Sequence, residues 1–169
     1  DYGVNKFIFS SSCSVYGNPN KLPVTEETPF GNAESPYAYT KQIGENILKD
    51  FCISNPSFKA LSLRYFNPAG ADKSGLIGET KTLRPNNLVP IIAQQAIGIR
   101  ESFEVFGNDY NTADGSCIRD YIHVSDIAEA HVIAFEYLIT MKSNYDVFNL
   151  GSGKGNTTLE VIKAFEEEN

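Results

Sequence analysis

Tyr37 and Lys41 stand four residues apart, about one helical turn, so on a helix they share a face and can act as a pair. A free phenol has a pKa of about 10, and a neighbouring ammonium favours the phenolate, which makes the tyrosine a candidate base near neutral pH. The spacing alone is weak, because Tyr2 to Lys6 repeats it in a chain with nine tyrosines. Context separates the two. Tyr2 to Lys6 contains Gly3 and runs into a strand, whereas Ser35-Pro36 supplies a cap and a first-turn proline just ahead of Tyr37. The run Ser10-Ser11-Ser12 places hydroxyls at the carboxyl end of an apolar strand, where α/β sheets put their sites. Serine, tyrosine and lysine can converge there. Arg119 adds a planar, permanently charged fork suited to diphosphate oxygens, its other use being an ion pair with Asp120 or another carboxylate.

Two further features point to less. Gly151-Ser152-Gly153-Lys154-Gly155 follows a strand and precedes a helix, but a dinucleotide fingerprint needs its third glycine three residues after the second, where Asn156 stands. It reads as a tight-turn packing element. His123 and His131 belong to no acidic-histidine constellation, so no metal is expected, and His123 reads as a packed or hydrogen-bonded residue.

The elements that must position these groups follow from the pattern of apolar residues. Lys6 to Ser10 reads as a short buried strand, followed by a long polar loop to Pro36. Ile43, Ile47, Leu48 and Phe51 extend the capped helix from Pro36 to near Asn55, and Ala60 to Phe66 reads as a second strand ending in a turn at Asn67 to Gly70. Strand, helix, strand is the unit of a parallel sheet. Downstream, the spacing predicts a helix from Asn86 or Asn87 to about Gly98, a short strand over Ser102 to Phe106, and a polar loop from Gly107 to Ser116. A helix from Ser125 to about Met141, a strand over Val147 to Leu150 and a last helix opened by the capping box Thr157-x-x-Glu160 complete the reading. The chain begins almost directly on a buried strand and closes in mid-helix, so it reads as a segment of a longer protein.

Composition narrows the class. With 14 basic and 21 acidic residues among 169, the net charge is −7, and no Lys/Arg cluster offers the phosphate neutralisation that nucleic acid or an anionic membrane requires. No apolar run approaches the roughly 18 residues of a bilayer span. Three widely spaced cysteines form neither a disulfide framework nor a zinc pattern. The expectation is a soluble, cytoplasmic protein whose partners are small molecules, with no nucleic acid and no membrane.

Six segments carry a more specific likeness: FIFSSSCSVYGNP, SPYAYTK, LRYFNPAGA, RPNNLVP, FGNDYNTADGSCIRDYIHVSDIAEAH and FNLGSGKGN. In order and spacing they resemble the extended short-chain dehydrogenase/reductase family, and within it the nucleotide-sugar 4-epimerases. The resemblance implies an α/β fold: part of a doubly wound parallel, Rossmann-type sheet plus part of a smaller substrate-binding α/β domain. It implies that residues 1–66 form the C-terminal half of the dinucleotide-binding sheet with the Tyr/Lys helix. Residues 67–120 would be mostly substrate-binding, and residues 121–169 a return to the sheet and the start of the C-terminal part.

By the same resemblance Tyr37 is the general base at the sugar 4-hydroxyl, Lys41 lowers its pKa and holds the nicotinamide ribose, and Ser12 shares a hydrogen bond with that hydroxyl. Phe66 resembles a nicotinamide contact, and Asn67, Asn87, Leu88, Phe106 and Arg119 resemble UDP-sugar contacts. NAD is the implied cofactor, UDP-glucose and UDP-galactose the implied substrates, and reversible hydride transfer at C4 through a 4-keto sugar the implied reaction. A homodimer through helices that include the one from Pro36 is also implied. The family's N-terminal half, with its glycine-rich turn, has no counterpart here, so the isolated chain is expected to bind NAD poorly and to be inactive. Residues 79–84 lack the Asp-Pro and glycine usual before Pro-Asn-Asn, and Ala113 replaces a usual acid. Cys13-Ser14 stands where 4,6-dehydratases and decarboxylases carry an acid, which favours the epimerase over those relatives. A catalytically inert fragment or interaction module is the reading from another class.

Overall fold

A computed structural model describes residues 3–79 and 85–168. The chain divides into two compact units, one formed by residues 1–66 and 126–151, the other by residues 67–125 and 152–169.

The first unit is a three-stranded parallel sheet in the order β1 (Lys6–Ser12), β2 (Lys59–Tyr65), β5 (Tyr145–Leu150). A short 3-10 helix, Cys13–Tyr16, follows β1 directly. Helix α1 (Pro36–Ser54) joins β1 to β2, and α3 (Val124–Thr140) precedes β5. Side chains alternate across a strand, so each face of β2 meets a different environment. Leu61, Leu63 and Tyr65 pack with Ile8, Leu150 and, from α3, Ala134 and Leu138, with Met141 just beyond; this is the apolar core. Ser62 and Arg64 turn instead toward polar partners: Tyr145 for the serine, and Glu45 of α1 and Tyr16 for the arginine. One face is oil and the other a buried polar network. α1 approaches β1 closely at Gly44, where an added Cβ would fall 2.5 Å from Cζ of Phe9. Burying its sheet between helices is what a parallel sheet requires, and the expected Rossmann-type arrangement is present.

The second unit holds a smaller sheet. β3 (Asn67–Ala69) pairs in parallel with β4 (Ile118–His123), and β4 pairs antiparallel with β6 (Gly155–Thr157). α2 (Leu88–Ala96) and α4 (Thr158–Glu168) complete it. The capping box forms reciprocally: Thr157 N donates to Glu160 Oε2 at 2.8 Å, and Glu160 N donates to Thr157 Oγ1 at 3.1 Å. Among the described residues no helix is long and apolar enough to cross a membrane.

Three sequence expectations need correction. Residues 102–106 form no strand, because Phe103 and Val105 are flanked by Glu101, Glu104 and Gly107 and find no ladder partner. Asn67–Ala69, read as turn, is a strand, since β4 supplies its partner residue for residue. β4 and β6 were hidden in Arg- and Asp-containing or glycine-rich stretches with no apolar alternation. Asn87 stands at the N-cap of α2 without a side-chain cap bond, and the helix ends at Ala96. The departure at residues 79–84 lies, beyond Glu79, outside the described residues, as does Tyr2 of the rival Tyr-Lys pair.

Candidate active site

Ser35 accepts from Ala38 N at 3.1 Å and Pro36 occupies the first turn, so α1 starts where the sequence says it should. Along it run Tyr37, Lys41 and Glu45. Four residues overshoot one turn of 3.6 by about 40°, so the stripe winds steadily inward. Tyr37 is 56% exposed, Lys41 is half-buried, and Glu45 is 2% exposed. The same helix thus presents a phenol to solvent and plants a carboxylate in the interior.

Lys41 Nζ donates to the Ser10 carbonyl oxygen at 2.7 Å. That contact seats the ammonium at the carboxyl end of β1, 5.3 Å from the centroid of the Tyr37 ring and 5.2 Å from that of Phe9. An ammonium has three donors, and one is spent on Ser10. The Tyr37 hydroxyl has no protein partner among the described residues, so a solvent-facing phenol stands beside a fixed positive charge. Such a pair can take and return a proton at a ligand hydroxyl.

Glu45 keeps that geometry in place. Its carboxylate accepts from Arg64 Nε at 2.9 Å and Nη2 at 2.7 Å in a bidentate pair, from Ser11 Oγ, and from Tyr145 hydroxyl at 3.4 Å. Arg64 also donates to Tyr16 hydroxyl at 2.8 Å and lies 4.9 Å from the Tyr16 ring centroid and 5.3 Å from that of Phe30. Burial, the largest influence, opposes the charge on Arg64. The hydrogen bonds to Glu45 and Tyr16 outweigh it and hold the guanidinium above its ordinary pKa. Gln42 adds a second clamp, donating to Val15 O at 2.9 Å and Gly31 O at 2.8 Å. Buried burial-opposed charges of this kind were not expected from the sequence. The signal was there: Glu45 continues the four-residue interval of Tyr37 and Lys41 by one more step.

Ser12 is 8% exposed and caps the 3-10 helix, accepting from Ser14 N at 3.2 Å. Its own O–H remains available to donate. Phe66 is half-buried just past β2, where its N–H donates to Leu150 O at 3.1 Å. Ser12, Tyr37, Lys41 and Phe66 all belong to the first unit. An open cleft of about 470 Å³ lined by Lys49, Cys52, Ile53, Lys142, Asn144 and Tyr145 is also in this unit. Lys49 is about 18 Å along the helix from Tyr37, so that cleft is separate from the Tyr/Lys pair.

The remaining candidates lie in the second unit. Asn67 Nδ2 donates to the Asp120 carbonyl at 2.9 Å, tying β3 to β4 beside Arg119. Arg119 is exposed and donates to Ile118 O at 2.8 Å, and among the described residues it makes no ion pair. Asp120, the neighbour that could have neutralised it, is engaged elsewhere: its carboxylate accepts from Ser152 N at 2.8 Å, Ser152 Oγ at 2.7 Å and Gly153 N at 2.9 Å. The glycine loop's amides are therefore already filled by an anion from the protein itself. Asn87 and Leu88 stand at the start of α2, and Phe106 is 80% exposed on a loop; no hydrogen bond joins them to Arg119 among the described residues. His123 Nδ1 accepts from Ser125 N at 3.1 Å at the start of α3. Among the described residues no three His, Cys, Asp or Glu side chains group as metal ligands.

Residues 1–151 match the NAD dependent epimerase/dehydratase family. The chain is 52% identical to a UDP-glucose 4-epimerase of Erwinia amylovora over 98% of its own length and 49% of the relative's. It is 51% identical to one from Drosophila melanogaster, over 99% of its length and 48% of the relative's. Among solved structures, UDP-glucose 4-epimerase from Bifidobacterium longum in complex with NAD+ and UDP superposes with a TM-score of 0.91 at 48% identity, covering 97% of this chain and 48% of that one. UDP-glucose-4-epimerase from Stenotrophomonas maltophila with bound NAD and formylated UDP-arabinopyranose gives 0.92 at 45% identity, covering 98% and 48%. The chain spans about half the length of the curated relatives it matches. On the extent of the family match and of these identities, the chain belongs to the NAD dependent epimerase/dehydratase family.

Proposed function

We propose that this chain is part of a cytoplasmic, NAD-dependent UDP-glucose 4-epimerase that interconverts UDP-glucose and UDP-galactose. The observation that carries the reading is the exposed Tyr37 phenol beside the Lys41 ammonium, which the Ser10 carbonyl holds at 2.7 Å. Tyr37 takes the proton of the sugar 4-hydroxyl and returns it, and Ser12 donates its free O–H to the same oxygen. NAD, when bound, would supply the hydride acceptor and donor for C4. The residues present fit its nicotinamide end: Lys41 has two donors left for ribose hydroxyls, and Phe66 offers an apolar ring. The glycine loop at residues 151–155 is no seat for the pyrophosphate, since Asp120 fills its amides. In the second unit Arg119, free of its neighbouring acid, is the group suited to the substrate's diphosphate, with Asn67, Asn87, Leu88 and Phe106 as further UDP-sugar contacts. Cys13-Ser14, where an eliminating enzyme would need an acid, supports epimerisation over dehydration.

The test is conversion of UDP-galactose to UDP-glucose by the full-length natural polypeptide and by its Tyr37→Phe variant. Loss of the phenolic proton carrier lowers turnover by about two orders of magnitude or more. Conversion that persists unchanged in the variant removes Tyr37 from the reaction.

A further inference from the structure

Ser10, whose carbonyl seats Lys41, is held by its own side chain from the opposite face of the sheet. Ser10 Oγ lies 2.8 Å from the Tyr65 hydroxyl, that hydroxyl lies 2.7 Å from His131 Nε2, and His131 Nδ1 lies 2.7 Å from the Ile127 carbonyl oxygen. A carbonyl only accepts, so Nδ1 carries a proton. The Tyr65 hydroxyl donates to Ser10 Oγ, and the same hydroxyl oxygen rests against the other ring nitrogen, Nε2. The rings of Tyr65 and His131 also touch, with centroids 5.7 Å apart.

Register explains why the row ends at Ser10. Ser12 pairs with Tyr65 across β1 and β2, and side chains two apart on a strand share a face, so Ser10 and Tyr65 lie together on the α3 side. Lys41 arrives from α1, packed against the other side at Gly44 and Phe9. Ser10 is therefore where the two helices meet through one residue: its Oγ answers to α3 and its carbonyl to α1.

We propose that His131 is a positioning residue for Lys41, acting through the Tyr65 hydroxyl and Ser10. It touches neither substrate nor cofactor in this role; it fixes the carbonyl on which the catalytic ammonium rests. The inference builds on the proposed role of the Tyr37–Lys41 pair. A leucine at position 131 removes the polar partner of the Tyr65 hydroxyl, whereas a glutamine can place an amide group near the position of Nε2. With that partner gone, the Tyr65 hydroxyl is no longer held in place against Ser10 Oγ, and Lys41 loses its fixed seat.

The experiment uses the full-length natural polypeptide and reads kcat and KM for UDP-galactose in the parent and in Tyr37→Phe, His131→Leu, His131→Gln, Tyr65→Phe and the His131→Leu/Tyr65→Phe double variant. The expected result is a loss of kcat of about tenfold in His131→Leu with KM within about twofold, recovery in His131→Gln, and no further loss when His131→Leu is added to Tyr65→Phe. A kcat in His131→Leu equal to the parent's, a rise in KM as large as the fall in kcat, or multiplicative losses in the double variant overturns the proposal.

A second readout does not depend on activity. Acylation of Lys41 by an amine-reactive reagent, followed by mass spectrometry, is expected to rise several-fold in both His131→Leu and Tyr65→Phe and to stay at the parent's rate in His131→Gln. Unchanged labelling in Tyr65→Phe overturns the proposal even where His131→Leu fails to fold. Failure of the functional reading shows separately, as a parent without epimerase activity or an active Tyr37→Phe.

Discussion

Replacing Glu45 by glutamine tests the clamp beneath the Tyr/Lys pair. The side chain keeps its shape, but an amide NH2 takes the place of one carboxylate oxygen. Placed at Oε2 it confronts Arg64 Nη2, and placed at Oε1 it confronts Arg64 Nε, so one limb of the bidentate pair is lost in either orientation. A hydrogen bond to a charged group contributes about 1.5–3 kcal/mol. The larger effect is the guanidinium left behind, 4% exposed and without a counter-charge; breaking a buried pair from one side costs about 3–5 kcal/mol. Arg64 retains Tyr16 hydroxyl at 2.8 Å and two aromatic faces, which places the expected loss at the lower end, about 3 kcal/mol. Removing both charges, in Glu45→Leu/Arg64→Met, leaves no ion unpaired. Tyr145 keeps Ser62 and Tyr16 keeps Asn149, and only Ser11 Oγ is left without its acceptor, so the double variant loses less than the single. Urea unfolding followed by far-UV circular dichroism measures both, with hydrogen exchange of the α1 amides to locate the effect. A Glu45→Gln protein within about 1 kcal/mol of the parent, or a double variant less stable than the single, would refute the reasoning.

Two further outcomes follow from groups already described. Arg119→Lys keeps the charge and loses the planar fork, so KM for the UDP-sugar rises about tenfold and in Arg119→Ala about a hundredfold, with kcat changed far less; an unmoved KM in steady-state assays dismisses the diphosphate role. Burial pushes the Tyr145 phenol above its ordinary value of 10.0. Its contribution to stability is therefore fully present below pH 10 and is lost as pH rises toward the folded-state value, because the unfolded chain ionises first. Tyr145→Phe makes that alkaline loss shallower, read as dichroism alongside phenolate absorbance at each pH. An identical alkaline limb in the variant contradicts the assignment.

The Tyr37–Lys41 pair was legible because its elements are local: a serine cap, a first-turn proline and a helical repeat are all written within twenty residues. The strands of the first sheet were legible for the same reason, each carrying apolar residues within one short local segment. β3, β4 and β6 were not. Their residues, such as Arg119 and Asp120 or Gly155 and Asn156, carry no period, and they become strands only because partners distant in sequence complete their ladders. Arg64 and Glu45 were missed for a related reason. An arginine inside ALSLRYF looks like a strand's solvent-side residue until the helix opposite it supplies a carboxylate. The glycine loop was set aside from spacing alone; what the spacing could not show is that Asp120, more than thirty residues upstream, accepts from its Ser152 and Gly153 amides.

The inward winding of Tyr37, Lys41 and Glu45 also decides what changes of length the chain can absorb. One residue inserted between Lys41 and Glu45 would rotate the first turns of α1 by about 100° and advance them about 1.5 Å against a carboxylate that Arg64 does not release. The ammonium would swing off Ser10 and the phenol with it. The interval from Tyr37 to Glu45 therefore works as a ruler, to which residues cannot be added and from which they cannot be deleted. The exposed loop around Lys21 carries no such measure and is where insertions would be accommodated.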